Sequence, residues 1–534
     1  MIDSYIRESM AKNSHTNNSV RKVSGVINYK QAKANVRDII ATLIDNNMGN
    51  RDLNPKSFMG YTKEAINDFI DTSPEVEGFV NNDGSLELER LRTHLIADFI
   101  QHGKLQPALD SNDISEIQIN DFNSIWVEKN GVKEPYIDSA TGQRVKFSDV
   151  EEYSHFVNQL LMEDTKKITS EDALIDAITL DGFRVAAQGS GATVADKEGK
   201  YKHKPTCVTI RKQRDKKFTA KELVESQCMS NNMGKLLEII PSAKLTSFIG
   251  GATGSGKTVI LQVLADNCPD DMRVAALGNP AELKLRRRQT YGEDEGVILN
   301  NVVHLEAREY ASLDKAPREF PTIDNCNRAL LRMTPEVEIV EEVRSRDEVE
   351  FVVDAAQTGH FFLTSFHAES VTGLLSRFVS LYIAQTQGID RNSAVDIIAD
   401  FLKIVVIREK MPDSTRKITE ICEIDGAYYD EGGVRQFRIR PLYKYIRNTE
   451  VLAKTASGSI SRSALKRKVV GRHYRVGTIS CNLKKELIDA GFDEEIIQFL
   501  TKPLQLATKE EGGRQIQVYI PEPEDYVFNP LFID

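Results

Sequence analysis

At 534 residues the chain is long enough for about three or four domains with substantial cores. Its composition, 40% hydrophobic and 28% charged, excludes a collagenous, low-complexity or wholly disordered chain. A net charge of −10 argues against a protein whose main task is coating nucleic acid, and no run approaches the ~18 apolar residues of a membrane-spanning helix.

The start, Met1 to Glu8, lacks the charged-then-apolar layout of a signal peptide. Six scattered cysteines without a Cys-x-x-Cys pair read as free thiols in a reducing compartment. A cytoplasmic location is expected, with any membrane contact made through a partner.

Residues 1–104 read as a polar lead-in followed by helices. The clearest helix lies at 86–100, where Leu88, Leu91, Leu95 and Phe99 share a face. Near 105 the texture changes. Ile114–Asn120 and Ser124–Glu128 alternate as strands do, a helix is expected around 149–161, and Cys207–Arg211 forms a further strand. Residues 105–225 are therefore expected to form a small α+β domain, and 226–235 a linker. From 236 to 447 strands and helices alternate, the pattern of a parallel sheet with crossover helices. Residues 448–534 read as an appendage. It opens with a basic stretch, Arg462–Arg475, and continues into short helices at 482–490 and 494–500.

The segment that names a ligand runs from 245 to 266: an apolar strand, a glycine loop and a helix. Gly251-Ala252-Thr253-Gly254-Ser255-Gly256-Lys257-Thr258 fits the phosphate-binding loop pattern. Its glycines let the backbone approach a polyphosphate closely, and the helix N-terminus presents amides to it. Lys257 would reach the β- and γ-phosphates, and the Thr258 hydroxyl would face Mg²⁺. ATP and Mg²⁺ are the expected ligands.

Such a loop also needs an acid at the end of another buried strand. Val337–Val340 is the expected strand, with Glu341 and Glu342 at its end. Farther on, His360 and His367 bracket the apolar run Phe361–Phe366 and are candidates for sensing or positioning the terminal phosphate.

With these motifs in order, the sequence resembles the secretion and pilus traffic ATPases of the type II/type IV secretion superfamily, in particular the tight-adherence-pilus and type IV secretion branch. The resemblance rests on the phosphate loop, on Glu342-Val343-Arg344, on Thr358-Gly359-His360 with His367-Ala368, and on the helix ending Leu331-Arg332-Met333-Thr334-Pro335. Ser115–Asn120, Ile125–Gly131, Leu180–Val185 and Thr209–Lys212 resemble the family's smaller domain. The likeness covers about 105–446. It implies an α/β fold, with a RecA-like ATPase domain after a smaller α+β domain. It also implies a homo-hexamer, with ATP between the two domains and an inner-membrane platform protein as partner. By the same resemblance Arg184 and Arg211 would approach the γ-phosphate, and Lys257, Glu282, Glu342, Arg344, His360 and His367 would serve catalysis.

The family's acidic box departs here. Where it usually carries two acids, this chain has Gly278 and Asn279, leaving Glu282 alone; the glycine usual before the catalytic glutamate is Glu341. Either Glu342, helped by Glu341 or Glu282, suffices for hydrolysis, or the chain turns over slowly. Gly278→Glu is then expected to raise the rate if the missing acid is limiting. Three functions follow: an ATPase motor for pilus assembly or secretion, a nucleic-acid translocase using the 462–475 basic run, or a nucleotide-gated scaffold.

Overall fold

The computed structural model describes most of the chain between residues 27 and 532. Residues 1–26, 49–54, 73–75, 78–87, 100–102, 130, 139–140, 163–167, 170–172, 180–181, 196–203, 213–216, 280, 291–295, 308–320, 387, 452–467, 512–513 and 533–534 lie outside that description. The expected lead-in and the first half of the basic run fall among them. The chain divides into two units, Met1–Asp215 and Lys216–Asp534.

In the first unit, helices α1 (Tyr29–Met48), α2 (Pro55–Thr72) and α3 (Leu88–Phe99) bury a shared apolar stripe that includes Val36, Ile66, Phe69, Leu91 and Leu95. A short α4 (Gln106–Asp110) leads into six strands: β1 (Ile114–Asp121), β2 (Ser124–Lys129), β3 (Val132–Pro135), β4 (Leu174–Ile178), β5 (Arg184–Gln188) and β6 (Cys207–Arg211). Helix α5 (Val150–Met162) lies between β3 and β4 in sequence. Strand order is β3-β2-β1-β6-β5-β4, antiparallel throughout. Alternation sends Ile117, Ile119, Val185, Ala187, Val208 and Ile210 into the core, where they share a cluster with Tyr153, Val157 and Leu160 of α5.

The second unit begins with α6 (Ala220–Glu225) and α7 (Asn231–Ser242). Then come β7 (Ser247–Gly250), α8 (Lys257–Asp266), β8 (Val274–Gly278), β9 (Val302–Glu306), α9 (Ile323–Leu331), β10 (Val337–Val343), α10 (Arg346–Gln357), β11 (Phe361–Phe366), α11 (Val371–Gln385), α12 (Arg391–Phe401) and β12 (Ile404–Lys410). The chain continues through β13 (Arg416–Tyr429), β14 (Arg435–Val451), β15 (Lys468–Arg475), α13 (Cys481–Asp489), α14 (Gln498–Thr501), β16 (Leu506–Glu511), β17 (Arg514–Tyr519) and β18 (Glu522–Pro523). Ten strands form one sheet in the order β18-β15-β14-β13-β12-β7-β11-β10-β8-β9. From β12 to β9 neighbours are parallel, and β7, β8 and β11 are buried along their whole length, as helices on both faces require.

From β12 to β18 the same sheet runs antiparallel. The parallel alternation therefore stops at β12, well before 447. The segment 226–235 is no linker: Cys228, Met229 and Met233 lie in the main core, and Ser230 caps α7 by accepting from the Met233 amide at 3.3 Å. Nor is 448–534 a separate appendage. Strand β15 pairs along β14, and Leu483, Leu487, Ile497 and Leu500 join the core cluster under the sheet. Of the two helices expected there, the second shrinks to the four residues of α14.

Candidate functional site

The site is built at the carboxyl ends of β7, β8, β10 and β11. Strand β7 ends at Gly250, and the loop Gly251–Gly256 turns the chain into α8. Gly256 is the residue before that helix, with φ 89° and no side chain to cap it, so no capping side chain covers the N-terminus of α8. Lys257, buried to 7% exposure at the first helical position, directs its ammonium to His367 Nδ1 at 3.3 Å and Glu342 Oε1 at 3.5 Å. Thr258 Oγ1 donates to Glu282 Oε2 at 3.1 Å.

Glu342 lies near the end of β10. Its Oε1 accepts from His367 Nε2 at 2.6 Å, and its Oε2 accepts from Arg344 Nε at 2.7 Å. Burial pushes this carboxyl up, but the Arg344 hydrogen bond and the charges of Arg344, Lys257 and His367 outweigh it, and the net direction is down. Glu342 is therefore ionised. His367 is held below the ordinary histidine range, first by burial and then by the nearby cations, against the pull of Glu342. An ammonium can only donate and a carboxylate only accept. The imidazole therefore carries its proton on Nε2 and offers a bare Nδ1 to Lys257.

Glu341 faces the other way. Buried to 6% exposure, it accepts from the Glu282 amide at 2.6 Å, the Leu283 amide at 3.2 Å and His304 Nε2 at 2.8 Å. It holds the loop that presents Glu282 to Thr258. A Cβ on Gly278 would lie 2.3 Å from Ala281 Cα and 2.9 Å from Glu341 Oε1. The space an acidic side chain would need at 278 is thus already filled. The expectation that Gly278→Glu supplies a missing acid is corrected on this ground.

Of the residues expected from sequence, Gly251 to Thr258, Glu282, Glu342, Arg344 and His367 are brought together. His360 is not. It sits just before β11, its Nδ1 3.0 Å from Thr358 Oγ1 and its Nε2 4.0 Å from the buried Glu338, whose carboxyl burial pushes up to about 7. The whole of β11 intervenes, about 20 Å of strand. Arg184 and Arg211 belong to the first unit, where they stand directly opposite each other on β5 and β6, with Glu116 opposite Arg211 on β1. Sequence reasoning missed His304, Arg408 and Arg416. The latter two donate to loop carbonyls, and only strand register brings any of the three to the site.

The site suits a nucleotide with Mg²⁺. Its oxygen donors Thr258, Glu282 and Glu342 are of the hard type that Mg²⁺ takes, and the N-terminus of α8, uncapped by any side chain, is the kind of helix end that accepts phosphate. Among the described residues no three His, Cys, Asp or Glu side chains cluster to hold a metal. Among the described residues, no helix is long and apolar enough to cross a membrane.

Residues 200–462, close to half of the chain, match the family described as Type II/IV secretion system protein. The type IV pilus assembly ATPase PilB of Pseudomonas aeruginosa is 30% identical over 134 residues, 25% of this chain and 20% of that protein. A putative conjugal transfer protein of Mycobacterium tuberculosis is 23% identical over 263 residues, 48% of this chain and 66% of that one. The chain thus spans from a fifth to about two thirds of these relatives' lengths. Among solved structures, the Legionella pneumophila ATPase DotB aligns over 63% of this chain and 78% of its own at 18% identity, with a TM-score of 0.38 that is too loose to place any residue. With a phosphate loop, a strand-end glutamate and its histidine assembled in the matched region, the chain belongs to the type II/IV secretion ATPase superfamily.

Proposed function

We propose that this chain is a RecA-like, Mg²⁺-dependent ATPase that cleaves ATP to ADP and phosphate. In this reading it works as a homo-hexameric motor for pilus assembly, protein secretion or conjugative transfer. It would act in the cytoplasm at the inner face of a membrane machine, through a platform protein. The observation that carries the reading is the convergence of Lys257, Thr258, Glu282, Glu342, Arg344 and His367 on one loop.

Bound Mg²⁺ would supply charge neutralisation of the phosphates. Thr258, Glu282 and Glu342 are the residues that would hold it. The amides of α8 and the Lys257 ammonium would bind the terminal phosphates. Glu342, ionised and oriented by Arg344 and His367, would take the proton of the attacking water. Lys257 is one of the charges holding the Glu342 carboxyl down. Arg184 and Arg211 are proposed to add positive charge at the γ-phosphate, a contribution of about 10³-fold or more for a well-placed arginine.

The translocase reading loses support from the basic run itself. Arg475 is buried and paired with Glu522, and Arg472 donates to the Glu524 carbonyl at 2.9 Å. The scaffold reading keeps one specific observation: Gly278 has no carboxylate, and that of Glu341 is occupied by amides. Steady-state phosphate release from the purified chain separates the readings. Turnover lost in Lys257→Ala and Glu342→Gln supports the motor. Tight nucleotide binding without turnover in the unaltered chain leaves the scaffold.

A further inference from the structure

The turn between β12 and β13 presses two guanidinium groups onto the carbonyl side of the nucleotide loop. Register along β12 and β13 slips between Ile407 and Arg408, and such a bulge re-aims the side chain that follows it. Arg408 is thereby buried to 4% exposure, and its Nη1 donates to the Gly256 carbonyl at 2.5 Å. Its Nε is buried and finds no hydrogen-bond partner among the described residues. The Arg408 carbonyl lies 2.5 Å from where a Cβ on Gly251 would stand, and Nη1 lies 2.8 Å from that of Gly256. One residue therefore touches both ends of the loop.

Arg416, across the turn on β13, donates Nε to the Gly254 carbonyl at 2.9 Å. Its strand is pinned from the opposite face. Lys417 is buried and donates to the Gln227 carbonyl at 2.8 Å, and the Ile418 amide donates to Cys228 at 2.8 Å. Adjacent strand residues point to opposite faces, so the Arg416–Lys417 pair bridges the loop and the turn after α6.

A loop can offer its amides to phosphate only if its carbonyls turn outward. Because the peptide unit is planar, a held carbonyl fixes the N–H of the next residue; the Gly256 carbonyl fixes the amide of Lys257. We infer that Arg408 and Arg416 are positioning residues that hold the Gly251–Gly256 loop in its phosphate-accepting conformation by engaging the carbonyls of Gly256 and Gly254. The inference rests on the nucleotide-site reading above.

The experiment measures binding of a fluorescent ADP analogue to the full chain, unaltered and as Arg416→Ala, Arg416→Lys, Arg408→Lys and Lys257→Ala. Melting without nucleotide is recorded for each. Loss of a charged hydrogen bond predicts about tenfold weaker binding for Arg416→Ala, with the nucleotide-free melting midpoint within about 2 °C of the unaltered chain. Arg416→Lys restores affinity to within about threefold, since one donor suffices at Gly254. Arg408→Lys, which changes a buried guanidinium, weakens binding at least as much as Arg416→Ala. Affinity of Arg416→Ala within about twofold of the unaltered chain overturns the inference, as does a melting loss that tracks the affinity loss. If the unaltered chain and Lys257→Ala bind equally poorly, the nucleotide site itself is wrong, whatever Arg416 does.

Discussion

The carboxylate of Glu341 occupies the side-chain space of Gly278: its Oε1 lies 2.9 Å from the point where a Cβ on that glycine would stand. Strands β8 and β10 are parallel neighbours, with Leu277 beside Val340, so the two residues sit next to each other. Where the resemblance leads one to expect an acid on β8 stands Gly278, and where it leads one to expect a glycine on β10 stands Glu341.

Gly278→Glu alone is therefore expected to lower both stability and turnover. Overpacking of this kind costs about 1–3 kcal/mol. The exchange Gly278→Glu with Glu341→Gly relieves the crowding and recovers much of that loss, a non-additivity that a double-mutant cycle reads directly. Denaturant midpoints and phosphate release on the four proteins check it; a single Gly278→Glu variant faster than the unaltered chain contradicts it.

Glu342→Gln keeps shape and removes charge. Loss of a general base predicts a fall in turnover of about 100-fold or more, with nucleotide affinity changed by less than about threefold. Turnover that survives in this variant points to Glu282 as the base. The same substitution removes the one influence raising His367, whose titration followed by NMR should move further down.

His473 is buried, with Nε2 2.9 Å from the Ile418 carbonyl and Nδ1 2.9 Å from the Tyr526 hydroxyl. Burial brings its ionisation down from 6.5 to about 4. The unfolded chain takes up this proton first as pH falls. Its contribution is therefore intact above 6.5 and is lost toward 4, by up to about 1.4 kcal/mol per pH unit. Denaturant unfolding across that window should slope less steeply in His473→Gln than in the unaltered chain. Equal slopes would remove His473 from the acid response.

Duplex or single-stranded DNA is expected to leave ATP turnover within about twofold, because His473 and Arg475 are buried and the exposed Arg472 is engaged by the Glu524 carbonyl. A stimulation that fades steeply with salt would reinstate the translocase.

What the sequence made legible follows from what local rules can see. The glycine spacing of 251–256 and the apolar strand ending in Glu342 are local patterns with one physical meaning each, and both stand where expected. Gly278 and Glu341 were each visible as an oddity, yet their adjacency depends on register between strands far apart in the chain. His360 and His367 looked equivalent around one strand, but a strand has two ends and only one faces the loop. Strand β15 was hidden because its alternation places arginine and histidine inward, a choice that makes sense only once Glu522, Tyr526 and the Ile418 carbonyl are seen to receive them.

Glu524 and Leu531 reach back to α7. Ser230 donates to Glu524 at 2.9 Å, and the Leu531 amide donates to Glu238 at 2.7 Å, joining residues 294 and 293 apart in sequence. Pairings so widely separated carry a large loop-closure entropy and form late in folding. The helix that leads into the nucleotide loop is thus among the last parts of its unit to be fastened.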